Sequence, residues 1–264
     1  MTEVLSVIHN MQLNGSVIVN NFISVEQINS LKDCLQKKKA FSNKEKWIVP
    51  YSFSDIFIKA LKLDIFTIKK SYVFRTLNNK NDINNICDLT LKKKTKIHRV
   101  DGYISKKNND MIIPWHCDTS YKGANKVVNH VHPDKSSLKL ILYLTDVESN
   151  NGCLGFVPGS HQIVYALKMC FLNKEIEYEP FWSLKDARNI VKKEYVQKKL
   201  TKYLQRFQIE KFLDFTKFIE ETGDTYSFDN NIKAGSALLF NELGFHRAAS
   251  PMVNDRYIFR YFFN

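Results

Sequence analysis

Residues 138–145, "LKLILYLT", place leucine at every second position from Leu138 to Leu144. Side chains two apart on an extended chain share a face. The segment is therefore read as a strand with one apolar face turned to a core. Similar strand-sized stretches recur at 16–23, 72–77, 97–104, 111–116, 225–228, 236–240 and 256–263. Between them stand Gly- and Asn-rich turns, such as "SNNG" at 149–152, which leads into "CLGFV" and then "PGSH" at 158–161. Many short strands separated by such turns predict an antiparallel sandwich or jelly roll rather than a βαβ fold.

Helical spacing is confined to fewer places. Ser24 and Gln27 form a capping-box pattern ahead of Val25, Ile28, Leu31 and Leu35, which predicts a helix start. A second short helix is expected over 54–63. Residues 183–222 carry Ile190, Val191, Tyr195, Leu200, Leu204 and Phe207 with polar residues between them. Strands thus surround a helical insertion, taken as about 165–225. Its ends lie close in sequence to strands of the main body, so it is expected to act as a lid that selects the substrate.

The chain of 264 residues is expected to form one domain over 1–264. A hydrophobic fraction of 44% and an aromatic fraction of 13% supply a sizeable core and argue against extended disorder. The apolar runs are too short to cross a membrane. The first residues carry an early Glu and no basic flank, unlike a signal peptide. The five cysteines lack a C-x-x-C spacing and read as free thiols in a reducing, cytoplasmic setting. The net charge of +12 raises a nucleic-acid reading. The lysine runs at 36–39, 91–96 and 191–202 accompany a general enrichment in Asn, Ile and Phe, so solvated lysine faces are the preferred explanation.

In "IIPWHCDTSY" (112–121), His116 and Asp118 sit two apart. On an extended chain they share a face, as metal ligands or as a buried hydrogen-bonded pair; Cys117 points the other way. A second imidazole, His246, follows the strand at 236–240 and a Gly turn, and Arg256 opens the next strand ten residues on. Two histidines and one carboxylate make a facial triad that holds iron(II) and leaves three positions open. A bidentate 2-oxo acid and dioxygen can share those positions, and an arginine fork suits a second carboxylate on the oxo acid.

With these pieces in order, the chain resembles the phytanoyl-CoA dioxygenase family of iron(II)/2-oxoglutarate-dependent oxygenases. The carriers are "WHCD" (115–118), "LKLILYLTDVESNNGCLGFVPGSH" (138–161), "AGSALLF" (234–240), His246 with Arg256, and the opening "NGSVIVNNFISVEQINSLKDCL" (14–35). The resemblance implies a double-stranded β-helix, a cupin-like jelly roll with flanking helices. It implies that His116, Asp118 and His246 are the metal ligands and that Arg256 binds the far carboxylate of 2-oxoglutarate. Fe(II), 2-oxoglutarate and molecular oxygen are the implied cofactors, and hydroxylation of a C–H bond with release of succinate is the implied reaction. Residues 165–225 match poorly. Where the family often carries a small hydroxyl residue two after the distal histidine, this chain has Ala248.

Asp118 argues against halogenation, which needs the carboxylate's place vacated. The expected substrate is a small molecule, with an anionic or carrier-linked one as the candidate class. The competing readings are a non-catalytic jelly-roll binding protein and an oxygenase acting on nucleic acid. Arg256 is placed ahead of Arg260, which lies on the same strand face. Arg247 is read as a surface charge and His161 as part of a structural turn. His130 and His132 are read as loop residues, and Trp115, Tyr103 and Tyr121 as core or pocket wall.

Overall fold

In the structure, a computed structural model, residues 2–42, 46–49, 83–107, 113–119, 136–223 and 226–264 are described. The expected helix at 54–63, the strand at 72–77, Tyr121, His130 and His132 lie outside them.

The chain runs α1 (Thr2–Asn14), β1 (Ser16–Val19), α2 (Val25–Ser42), β2 (Lys46–Val49), α3 (Ile83–Leu91), β3 (Ile97–Ser105), β4 (Ile113–His116), β5 (Leu138–Tyr143), β6 (Leu154–Phe156), α4 (Ser160–Leu172), α5 (Leu184–Val191), α6 (Glu194–Leu200), α7 (Arg206–Thr222), β7 (Ala237–Asn241), β8 (His246–Ala248) and β9 (Arg256–Phe263). Six strands form one sheet in the order β1-β7-β5-β9-β3-β2, and three form another in the order β4-β8-β6. Every pairing between these strands is antiparallel.

Alternation along the strands builds the layers. Leu138, Leu140, Leu142 and Leu144 pack with Val100, Ile104, Phe259, Tyr261 and Phe263 against the apolar faces of α1, α2 and α3. The opposite faces of the same strands, with Ile141, Tyr143, Leu238, Phe240 and Ile258, meet Leu154 and Phe156 of the smaller sheet. Behind that sheet, Trp115, Val157 and Phe245 pack against α4 to α7. The result is mostly antiparallel sheet with helices on the outer faces. β5 is buried on both faces, so Lys139, between leucines, is not solvated and is only 8% exposed.

The capping box forms as expected: the Ser24 amide donates to Gln27 Oε1 at 3.0 Å, and the Gln27 amide donates to Ser24 Oγ at 3.4 Å. Two expectations need correction. First, of the strand expected at 225–228, the described residues 226–228 are not strand: 227 and 228 form a turn, and Asp229 makes an isolated bridge with Gly155. Second, helix begins earlier than 165, because the "PGSH" turn runs directly into α4. Nine of the thirteen residues of α4 are buried, and a helix buried nearly all round lacks the clean apolar stripe that marks a surface helix. Helices α1 and α3 were not anticipated either.

In the 191–202 run, Lys193, Lys198 and Lys202 pair with Glu179, Glu194 and Glu175 on exposed or half-exposed faces. Among the described residues, no helix is long and apolar enough to cross a membrane.

Candidate active site

The pairing of β4 with β8 sets His116 directly opposite His246. Their rings lie 4.4 Å apart between centroids. The chain turns immediately after β4, and this brings Asp118 back to the two imidazoles. Asp118 Oδ1 is 3.3 Å from His116 Nε2, and Oδ2 is 3.5 Å from His246 Nε2. One ligand atom from each of the three residues falls within 4.8 Å of the others.

The backbone orients both rings. His116 Nδ1 lies 2.7 Å from the Pro114 carbonyl, and His246 Nδ1 lies 3.1 Å from the Gly244 carbonyl. A carbonyl accepts only, so each Nδ1 carries a proton, and Nε2 is the ring nitrogen turned toward Asp118. Gly244 is required at its position, because a Cβ there would run into the Phe156 ring. Burial raises the pKa of the Asp118 carboxyl, but hydrogen bonds from His116 and His246 and the charge of Lys139 outweigh it and hold the group well below the usual carboxylate range. The donor set fits a divalent transition metal.

The triad opens onto a cavity of about 240 Å³ between the sheets, whose apolar wall includes Ile113, Ile141, Leu154, Phe240 and Ile258. Among the described residues three cations line it: Lys139, Arg256 and Arg260. Arg260 lies opposite Asp101 across β3 and β9 and forks onto it, with Nε to Oδ1 at 2.6 Å and Nη2 to Oδ2 at 3.0 Å. Asp101 is fully buried and also receives Arg99. Lys139 is held by Asp118 and Glu242.

Arg256 differs from both. It donates to the Gly152 carbonyl at 2.7 Å, to Ser105 Oγ at 2.9 Å and to the Ala249 carbonyl at 3.4 Å, all neutral acceptors. Among the described residues it has no carboxylate partner, its Nε is buried without a hydrogen bond, and burial pushes its pKa down. A largely desolvated cation without a counter-charge favours binding of an anion.

The remaining readings resolve individually. Arg247 is not a surface charge. Its side chain is 2% exposed and bonds Asp229, itself 1% exposed, at 2.5 Å, with Tyr226 and Trp115 rings against the guanidinium. No local pattern marked Asp229, in the turn before β7, as this partner. His161 is buried in α4 against Gly15, its Nε2 3.2 Å from the Gln12 carbonyl, and plays a packing role. Tyr103 lines the cavity and Trp115 packs in the core behind β4. All five cysteines are buried free thiols, and Cys117 Sγ donates to the Leu243 carbonyl, away from the triad.

The helical segment approaches from behind β4. The Trp182 ring lies 5.4 Å from that of His116, and the Cys117 amide donates to the Trp182 carbonyl. No described residue of 165–225 lines the cavity. Sequence reading missed Lys139 and Glu242. The available signal was a lysine in a strand whose alternate positions, Ile141 and Tyr143, are themselves apolar.

The fold and this His-Asp-His cluster define a class before any particular relative is considered: an antiparallel double sheet carrying a candidate mononuclear metal centre. Residues 11–252 match the family model described as Phytanoyl-CoA dioxygenase (PhyH). The chain belongs to that family. No protein of curated function is similar enough in sequence to match.

Solved structures share the fold at low identity. The epimerase SnoN, in complex with Fe3+, alpha ketoglutarate and nogalamycin RO, aligns at 11% identity with a TM-score of 0.56, over 99% of this chain and 83% of that one. The non-heme alpha ketoglutarate dependent carbocyclase SnoK from nogalamycin biosynthesis aligns at 13% identity and 0.56, over 98% and 82%. HygX from Streptomyces hygroscopicus, with nickel and 2-oxoglutarate bound, aligns at 14% identity and 0.54, over 98% and 86%.

Proposed function

We propose that the protein is a non-haem iron(II), 2-oxoglutarate-dependent oxygenase that hydroxylates a C–H bond of a small molecule, the chain acting as one domain with its sheets closed as a jelly roll. The observation that carries this reading is the cross-strand pair His116 and His246 with Asp118 between their Nε2 atoms. Family membership and the iron- and 2-oxoglutarate-bound structures of similar fold support it. Iron(II), 2-oxoglutarate and dioxygen together would supply oxidation of the C–H bond, coupled to decarboxylation of the oxo acid to succinate and carbon dioxide.

In this reading His116, Asp118 and His246 are the metal ligands. Their set leaves three positions for cosubstrate and dioxygen. Arg256 takes the far carboxylate of 2-oxoglutarate, which supplies the counter-charge missing from its surroundings, and Ser105 orients the guanidinium from β3. Arg260 is committed to Asp101 and leaves the cosubstrate to Arg256. With Lys139 and Arg260 already paired, the described cavity wall offers no further cation for an anionic substrate, and its apolar residues favour an uncharged reacting portion. Asp118 occupies the position a halide would need, which favours hydroxylation over halogenation. The helices of 160–222 brace the strand that carries His116, through Trp182 and the bridge from His116 to Ser183.

The test is succinate formation from 2-oxoglutarate by purified protein reconstituted anaerobically with iron(II) and then exposed to oxygen, with metal content measured in parallel. Wild type should bind about one equivalent of iron and turn over 2-oxoglutarate. His246→Ala should lose both properties while keeping its circular dichroism spectrum. Iron content and turnover in His246→Ala equal to wild type would overturn the assignment.

A further inference from the structure

Lys139 projects from β5 into the candidate metal site, where among the described residues three positively charged side chains line one small cavity. Its side chain is 11% exposed. The ammonium lies 2.5 Å from Asp118 Oδ2 and 2.8 Å from Glu242 Oε1. The rings of Phe240 and Phe262 stand 5.4 and 5.1 Å from it. Glu242 is itself held, since Ser137 Oγ donates to its Oε2 and the Glu242 amide donates to the Ser137 carbonyl at 3.1 Å. The ammonium is thus fixed from four sides, and Asp118 is the one of its partners that belongs to the triad.

A carboxylate can bind a metal through one oxygen or two. Two imidazoles and one carboxylate oxygen leave three of six positions open. A 2-oxo acid bound through its keto and carboxylate oxygens fills two of these, and dioxygen needs the third. Bidentate binding by Asp118 would remove one, and the cosubstrate and dioxygen would then compete. An ammonium donating to Oδ2, which also lies 3.5 Å from His246 Nε2, leaves Oδ1, 3.3 Å from His116 Nε2, as the carboxylate oxygen without a lysine contact.

Resting on the oxygenase reading, we propose that Lys139 is a positioning residue that keeps Asp118 monodentate and so preserves the third open position. Glu242 and Ser137 in turn hold Lys139 in place.

The experiment uses the cobalt(II)-loaded full chain, with coordination number read from X-ray absorption and from the intensity of the ligand-field bands. 2-Oxoglutarate affinity is measured on the same samples by calorimetry. Lys139→Met alone leaves Glu242 buried without its cation, so Lys139→Met/Glu242→Gln is the main variant. Lys139→Arg and Glu242→Gln are the controls.

In the double variant Asp118 should bind through both oxygens, and 2-oxoglutarate should bind about tenfold more weakly, a loss of about 1.4 kcal/mol, while cobalt binds at least as tightly as in wild type. Lys139→Arg and Glu242→Gln, each of which keeps a cation beside Asp118, should retain one-oxygen binding. A double variant with wild-type coordination and wild-type 2-oxoglutarate affinity overturns the proposal. Parallel loss of cobalt, cosubstrate and melting temperature also overturns it, because that pattern describes a packing residue. If wild type fails to bind cobalt in a manner abolished by His246→Ala, the oxygenase reading itself is at fault.

Discussion

Arg256 and Arg260 stand four apart on one face of β9, both line the cavity, and their electrostatic surroundings are opposite. Arg260 makes two charge-assisted hydrogen bonds to Asp101, a carboxylate with no exposure. Replacing it with Met takes both of these bonds from Asp101 and leaves Arg99 beside it. At about 1.5–3 kcal/mol for a hydrogen bond to a charged group, and with Arg99 remaining as partial compensation, Arg260→Met should cost about 1–3 kcal/mol of stability. Arg256 donates only to neutral acceptors. Its removal takes away a largely desolvated charge, and replacement of such a charge by an apolar side chain is often neutral, so Arg256→Met should change stability by less than about 1 kcal/mol.

The order should reverse for cosubstrate. Loss of the cation facing a buried carboxylate costs about 2–5 kcal/mol of binding, which is about 30-fold to a few thousand-fold in affinity. The assay is anaerobic calorimetric titration of 2-oxoglutarate into the manganese(II)-loaded variants, with urea unfolding of the metal-free proteins alongside. Weak 2-oxoglutarate binding by Arg260→Met with normal binding by Arg256→Met would refute the argument from uncompensated charge. Equal loss of stability in both variants would do the same.

Other outcomes follow from buried groups away from the cavity. Asp229→Ala strands Arg247 beside His246 and should cost about 3–5 kcal/mol, a melting-temperature drop of roughly 5–9 °C for a chain of this length. Arg247→Met/Asp229→Leu should recover most of that loss in the same calorimetric scan, and Asp146→Ala, at an exposed pair with Lys233, should move stability by under about 1 kcal/mol. Burial pulls the His161 pKa down from 6.5 to about 4. The unfolded chain therefore binds a proton that the folded chain refuses between these values, and stability falls as pH drops from about 6.5 to about 4, by up to about 3 kcal/mol. His161→Gln should flatten that part of the pH–stability curve measured by urea unfolding, and an unchanged slope would show that His161 does not carry it.

Local chemistry was enough to read the strands, because a strand's two-residue period places its apolar positions on one face whatever lies beyond. The alternation of Leu138 to Leu144, the Ser24 and Gln27 cap and the shared face of Arg256 and Arg260 all follow from that kind of information. The pairing of His116 with Asp118 follows from the same two-residue period, whereas His246 and Arg256 were added by their order along the chain and by the family resemblance. Three things depended on the third dimension. Helix α4, buried nearly all round, shows no one-sided stripe, so its start could not be read from periodicity. The burial of Arg247 depends on Asp229, which approaches from the turn before β7. The division of labour among Lys139, Arg256 and Arg260 depends on where acids approach from other strands and loops: Asp101 meets Arg260 from β3, Asp118 and Glu242 meet Lys139, and no described carboxylate meets Arg256. A sequence states which residues carry charge, but whether a charge is neutralised is a property of distances of a few ångströms between separate segments, from 18 residues apart for Asp229 and Arg247 to 159 for Asp101 and Arg260, and those distances are set only when the sheets pair.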